Sequence, residues 1–225
     1  MGLNPQEPRW RRLPEERPRQ ILEAALATFG ERGLACSRLE DIAKRAGLSK
    51  GTIYLYFPNK EELFREVVRQ TVIAQIECAE RELAEAAALT ATETLVQFVR
   101  SYWDFLRSPT FASLFRLVHA ELGSFPDLAR FYSVEVIERT LRLLAGLLER
   151  GMANGEFRRM DPTVAARMIG PLLVMHAMWS NHKDIFTSTA NKTDEQVLDE
   201  VLSFYLHAIG SQPALVPAAA SDSHT

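Results

Sequence analysis

Apolar residues return every three to four positions along most of the chain, the spacing of helices with one buried face, and no segment reads convincingly as a strand. Ile21, Leu22, Ala25, Leu26 and Phe29 form the first stripe, with Pro18 in the opening turn and Gly33 as a left-handed stop. Ser37 and Glu40 have the S-x-x-E spacing of a capping box ahead of Leu39, Ile42, Ala43 and Ala46, and Gly47 ends that short helix. Ser49 caps a second short helix, Lys50 to Tyr56, closed by Pro58. Asn59 and Glu62 open a long helix whose stripe of Leu63, Val67, Thr71, Ile76, Ala79 and Leu83 runs to about Ala88, roughly 40 Å of rise.

Thr90 with Glu93 starts the next helix, which ends near Ser108-Pro109, and others are predicted from Phe111 to Leu122 and from Asp127 to Ala153, before the turn Asn154-Gly155. Asp161-Pro162 is an N-cap followed by Pro at the first helical position; Gly170-Pro171 predicts a kink in the middle of the helix it opens. Thr193 and Gln196 cap the last helix, which carries Val197, Val201, Phe204, Tyr205 and Ala208 before Gly210. The predicted fold is therefore all-α, with about nine helices. Ala (27) and Leu (28) far outnumber Val (13) and Ile (9), which points the same way.

Charge divides the chain. Residues 1–70 hold thirteen Lys/Arg against ten Asp/Glu, whereas 71–225 hold thirteen against nineteen, an asymmetry that suits a nucleic-acid-binding front joined to a different back. The longest uncharged run, Met168 to His182, is too short and too polar to cross a bilayer, and the first eighteen residues lack the apolar stretch of a signal peptide. Cys36 and Cys78 have no metal or redox spacing, so the expected location is cytoplasmic. His119, Glu121, His176 and His182 show no i, i+4 ligand pair, and no metal or other cofactor is expected. The expected organisation is an arm at 1–14, a DNA-binding unit at 15–62, an effector-binding and dimerisation domain at 63–210, and a tail at 211–225. Arg9, Trp10, Arg11, Arg12, Arg17 and Arg19 could form an arm reaching an adjacent minor groove, although a plain disordered tail is the favoured reading.

Two short helices around Gly47, braced by a third, are what a helix-turn-helix requires. The second, SKGTIYLYFPNK, turns only Ile53 and Phe57 obligatorily inward; its other positions are rich in hydrogen-bond donors of the kind phosphates take. Gly51 costs up to about 1 kcal/mol against Ala in a helix, which suggests a surface that a partner approaches closely. The segment CSRLEDIAKRAGLSKGTIYLYFPNKEELF resembles the DNA-binding region of the TetR family of bacterial transcriptional regulators, with every fixed letter of I-A-x-x-A-G-x-S-x-G-T-x-Y-x-Y-F-x-x-K-E-x-L present from Ile42 to Leu63. The resemblance implies an N-terminal three-helix unit, a long connecting helix and a C-terminal bundle. It also implies a homodimer on a double-stranded inverted-repeat operator, controlled by a small-molecule effector, with repression the expected sign. Carried over by position, Lys50, Gly51, Thr52 and Leu55 face base edges or the groove floor, and Ser37, Ser49, Tyr54, Tyr56 and Lys60 hold phosphates, with Arg38 and Arg45 as additional cations.

The penultimate and last helices each carry more than one apolar stripe, so one stripe of each is expected at a two-fold interface, with Val197, Val201, Phe204 and Tyr205 as the contact. A largely apolar effector is expected against Trp103, Phe111, Phe115, Met168, Met175 and Trp179, with Arg116, His119 or His176 as polar contact. No nucleophile–base order, phosphate loop or carboxylate pair stands out, so an enzyme is not expected. The rivals are an all-helical enzyme with a dyad in the C-terminal part and an architectural DNA-binding protein with no effector.

Overall fold

In a computed structural model, residues 16–189 and 191–211 are described; the arm at 1–14 and the tail beyond Ser211 lie outside them. Nine helices account for most of the described residues: α1 (Glu16–Cys36), α2 (Leu39–Arg45), α3 (Lys50–Tyr56), α4 (60–85), α5 (Ala91–Leu106), α6 (Pro109–Glu121), α7 (126–153), α8 (Pro162–Ser180) and α9 (Asp194–Ile209). Among the described residues no strand forms; an isolated bridge joins Phe157 to Gly210. The helix starts follow the local chemistry. Asn59, Asp161 and Thr193 accept the amides of Glu62, Val164 and Gln196, and Gln196 returns the bond to Thr193. Thr90 and Glu93 exchange bonds in the same way.

Two long helices contain a feature that periodicity does not show. α4 passes through a π-helical turn at Arg69–Ile73 and α7 through one at Ser133–Glu138. Such a turn inserts an extra residue and rotates the rest of the helix about its axis, which brings Val72 and Ile73 inward as well as Ile76. The expected box at Ser37 and Glu40 does not form. Arg38 is the N-cap of α2 and makes no side-chain cap, because Ser37 is buried with its hydroxyl donating to the Gly33 carbonyl at 2.6 Å. Gly33 sits at φ +75°, breaking the line of α1 where its left-handed turn was predicted.

Contacts divide the described residues into two compact units, 16–79 with 107–139, and 80–106 with 140–211. In the first, α1 packs on α2, α4 and α6 around Ile21, Ala25, Phe29, Leu34, Ile42 and Phe64, with the Phe29 and Phe64 rings 6.4 Å apart. In the second, α5, α8 and α9 pack on one another around Leu95, Val99, Ile169, Leu173, Leu198 and Leu202. Glu156 ties this unit's start: its carboxylate accepts from the Ala91 and Thr92 amides and the Thr92 hydroxyl, at 2.8–2.9 Å, at the N-terminus of α5. Desolvation raises its pKa, but those donors together outweigh it and hold the carboxyl below its ordinary value.

Gly151 in α7 has a packing reason. A Cβ there would stand 2.1 Å from the ring of Phe157, which is itself buried. Alanine normally gains up to about 1 kcal/mol over glycine in a helix, whereas overpacking costs about 1–3 kcal/mol. Gly151→Ala should therefore lower the melting temperature by about 2–6 °C; an unchanged or higher value would show that the ring has room to move.

Candidate functional site

The turn between α2 and α3 is built as its residues require. Gly47 takes φ +69°, its amide donating to the Lys44 carbonyl and that of Leu48 to Ala43 at 2.8 Å. Ser49 then caps α3 through the Thr52 amide, and Ile53 and Phe57 are buried. With those anchored, the outer face of α3 is left bare: Leu55 is 84% exposed, and Lys50, Gly51, Tyr54 and Tyr56 are exposed as well. An exposed leucine at that level, beside two tyrosines, is surface that nothing in its own unit covers. A Cβ on Gly51 would meet nothing closer than the Ser49 hydroxyl at 3.8 Å, so no packing inside the chain demands glycine there.

Electrostatics organise this face. The Lys50 ammonium lies 2.8 Å from Glu40 Oε1 on α2 and 5.8 Å above the Tyr54 ring, and the Tyr54 hydroxyl donates to the same Glu40 oxygen at 3.1 Å. The bond from Lys50, then those from its own amide and from Tyr54, hold the Glu40 carboxyl down at about 2. Its ionised form is fully stabilised above the ordinary value of 4.5 and is lost only as pH falls through about 2, so Glu40 stays charged at every physiological pH. Arg45 is paired differently, with both its terminal nitrogens 2.7 Å from the Glu31 carboxylate on α1.

Lys60 heads α4 and is already engaged. Its ammonium donates to the Ala35 carbonyl at 2.7 Å and to Ser37 at 3.4 Å, and lies 5.9 Å from the Phe125 ring. It thus caps the carbonyl end of α1 with positive charge. The Ala35 amide donates in turn to Glu121 at the end of α6, at 2.9 Å. Of the sequence-named residues, Ser49, Lys50, Gly51, Thr52, Tyr54, Leu55 and Tyr56 come together on α3 and its cap, while Arg38 is exposed just before α2. Ser37 does not join them, since its hydroxyl is buried and bonded to Gly33. Sequence reasoning gave Glu40 a capping role and Glu121 none; each acts on a residue far along the chain, and neither motif nor period signals that.

The residues named for an effector and for a dimer fall differently from expectation. Phe111 is buried in the first unit, but Arg116 and His119 are exposed there, with His119 bonded to the Phe115 carbonyl and its ring 3.9 Å from that of Phe115. Trp103 is buried in the second unit, and its indole N–H has no hydrogen-bond partner among the described residues. Met168 is 60% exposed, and Met175 and Trp179 are exposed too, on one face of α8 with Val164. His176 is half-buried, its ring edge-on to Trp179 at 5.2 Å, and Phe186 lies 5.9 Å from Trp179. The interior face of α8 is instead Ala165, Ala166, Ile169, Leu173 and Ala177, smaller side chains that let helices approach closely.

Val197, Val201 and Tyr205 are likewise buried inside their own unit, and the Tyr205 hydroxyl donates to the Ala165 carbonyl at 2.8 Å. Only Phe204 of the expected interface set is open, at 69%. An open groove of about 620 Å³ in the second unit, lined by Val96, Arg100, Asp199, Leu202, Leu206 and His207 among others, contains none of the residues named for an effector. Among the described residues no cluster of His, Cys, Asp or Glu could hold a metal ion, and no helix is long and apolar enough to cross a membrane.

Comparison with known proteins agrees with this arrangement. Residues 21–67 match the family described as bacterial regulatory proteins, tetR family, and residues 93–210 match the C-terminal domain of AefR-like transcriptional repressors. The fatty acid metabolism regulator protein of Bacillus subtilis is 31% identical over 160 residues, 70% of this chain and 80% of its own. The transcriptional repressor KstR2 of Rhodococcus jostii is 26% identical over 194 residues, 85% of this chain and 90% of its own. The crystal structure of the regulator FadR from Bacillus subtilis in complex with stearoyl-CoA superposes with a TM-score of 0.69 at 27% identity, covering 84% of this chain and 97% of that one.

Proposed function

Because the chain belongs to the TetR family of DNA-binding transcriptional regulators, we propose that it acts as a cytoplasmic, homodimeric repressor. Its α2–α3 unit reads an inverted-repeat operator, and a largely apolar small molecule in the C-terminal part releases it. The observation that carries the reading is the bare face of α3, where Leu55, Tyr54, Lys50 and Gly51 are exposed together on a helix anchored by Ile53 and Phe57. Lys50, Gly51, Thr52 and Leu55 then face the groove, with Leu55 against a thymine methyl, and Ser49, Tyr54, Tyr56, Lys60 and Arg38 take phosphates. Residues 15–62 form the DNA-binding part and 63–210 the part that senses and dimerises. The second subunit covers the exposed stripe Val164, Met168, Met175 and Trp179 of α8 together with Phe204 of α9, which a solitary chain would leave in water.

For the effector, the complex of FadR from Bacillus subtilis with stearoyl-CoA supports long-chain acyl thioesters as the first class to examine. The unpartnered indole N–H of Trp103 is a buried donor that an acyl oxygen could satisfy. Stearoyl-CoA at a hundred times its dissociation constant should stabilise the native state by about 2.7 kcal/mol and displace bound DNA. A melting temperature unmoved by stearoyl-CoA would remove that ligand class while leaving the DNA reading intact.

Gly51 offers a separate check. Gly51→Ala should leave stability unchanged or raise it by up to about 1 kcal/mol, because the chain has room for the methyl group. Operator binding should nevertheless weaken by about tenfold, since the backbone of α3 can no longer come as close to the groove floor. Unimpaired binding, read by fluorescence anisotropy, would place Gly51 away from DNA.

A further inference from the structure

Glu40 belongs to no expected set of DNA contacts, yet one of its oxygens takes a bond from each of two residues assigned to DNA, the Lys50 ammonium at 2.8 Å and the Tyr54 hydroxyl at 3.1 Å. We infer that Glu40 is a positioning residue that sets sequence discrimination, by keeping Lys50 off the phosphate backbone and reserving it for base edges. The inference rests on the assignment of Lys50 to base edges; Tyr54 has one O–H and must release Glu40 to take a phosphate.

The reason is electrostatic. A lysine is a point charge on a flexible stem and, left free at the edge of the groove, would settle on the nearest phosphate whatever the sequence. With Glu40 in place, a phosphate reaching Lys50 must either strip it from the carboxylate or bring a second anion against the first. A base-edge acceptor such as guanine O6 or N7 is neutral and meets no such opposition. The ammonium has three N–H donors, so it can keep Glu40 with one and give another to the base. Tyr54 lies one helical turn after Lys50, with its ring beneath the ammonium, so the same carboxylate fixes the side chain that marks the near wall of that site.

The pair's place in the fold separates this role from a structural one. Lys50 is exposed and Glu40 half-buried, and an ion pair open to solvent on one side contributes little to folding. The neighbouring pairs Arg45–Glu31 and Arg32–Asp41 join α1 to α2, whereas Glu40 reaches across to the outer face of α3.

The test uses the full-length protein and two duplexes of equal length, one enriched by the wild type from a random library and one scrambled. Glu40→Gln keeps the shape and removes the charge. It should bind the scrambled duplex about tenfold more tightly at low salt, with a log-log salt slope steeper by about 1 per subunit, as Lys50 becomes an additional phosphate ligand. Affinity for the enriched duplex should change far less, so the ratio between the two collapses. In a Lys50→Met background, adding Glu40→Gln should not steepen the slope on the scrambled duplex, because no ammonium remains to become a phosphate ligand.

An unchanged ratio and slope in Glu40→Gln, or a steepening of the slope that persists without Lys50, overturns the inference. Lys50→Met binding the enriched duplex as well as wild type would instead refute the base-edge assignment and the inference with it. A wild type that enriches no sequence would overturn the operator reading itself.

Discussion

Phe204→Glu should leave the protein monomeric, and the monomer should bind its operator about 10²–10⁴-fold more weakly than the wild-type dimer. Phe204 is 69% exposed in the isolated chain, as are, to smaller degrees, Met168, Val164, Met175 and Trp179 of α8. Burying each large apolar side chain in an interface contributes roughly 1.5–3 kcal/mol, while a carboxylate placed there must be desolvated without a partner. A dimer brings its second DNA-binding unit to the second half-site intramolecularly, so losing the partner forfeits that gain without touching α3. Met168→Glu should reproduce the effect from α8. Light scattering would report the mass and anisotropy the affinity; a Phe204→Glu protein that stays dimeric would move the interface elsewhere. Val201→Glu is not an equivalent test, because Val201 is buried within its own unit and its replacement should unfold the protein.

Lys60→Ala should act on stability and on DNA at once. In the free protein the ammonium bonds to the Ala35 and Ser37 carbonyls at the end of α1, so its removal leaves that helix end without its cation. Losing hydrogen bonds from a charged donor at a helix C-terminus costs about 1–2 kcal/mol. On DNA the same change removes one phosphate contact per subunit, which should lower the log-log salt slope by about 2 per dimer and weaken binding to every sequence alike. Thermal unfolding reads the first loss and salt titration the second. A fall in melting temperature with an unchanged salt slope would confine Lys60 to the Ala35 and Ser37 carbonyls and remove it from the DNA surface.

What could be read from the sequence was what neighbouring residues decide among themselves. Caps at Ser49, Asn59, Asp161 and Thr193, and the turns at Gly47 and Gly155, depend on a few adjacent positions and appear in the structure as the residues predict, whereas Gly33 takes φ +75° without stopping α1, which resumes to Cys36. The box at Ser37 and Glu40 fails for the complementary reason. The Gly33 carbonyl captures the serine hydroxyl, and Lys50 and Tyr54 capture the carboxylate. Periodicity also shows that α8 has two apolar stripes without showing which one is inside. The bulky Met168, Met175 and Trp179 read as lining and are exposed, whereas the small Ala165, Ala166 and Ala177 are buried.

Contacts that close long loops had no local signature. Glu121 reaches the Ala35 amide across 86 residues, and Glu156 reaches that of Ala91 across 65. The motif from Ile42 to Leu63 identified the DNA-binding unit because its residues lie within two short helices, the first turn of a third and the tight connections between them, where spacing alone fixes relative position.

The central proposal, a symmetric dimer reading DNA through paired α2–α3 units, is tested most directly by footprinting the protein on a duplex it enriches from a random library. Such a dimer should protect two half-sites related by a two-fold axis, with centres about one helical turn or a multiple apart. Protection of a single asymmetric half-site by one subunit would contradict it.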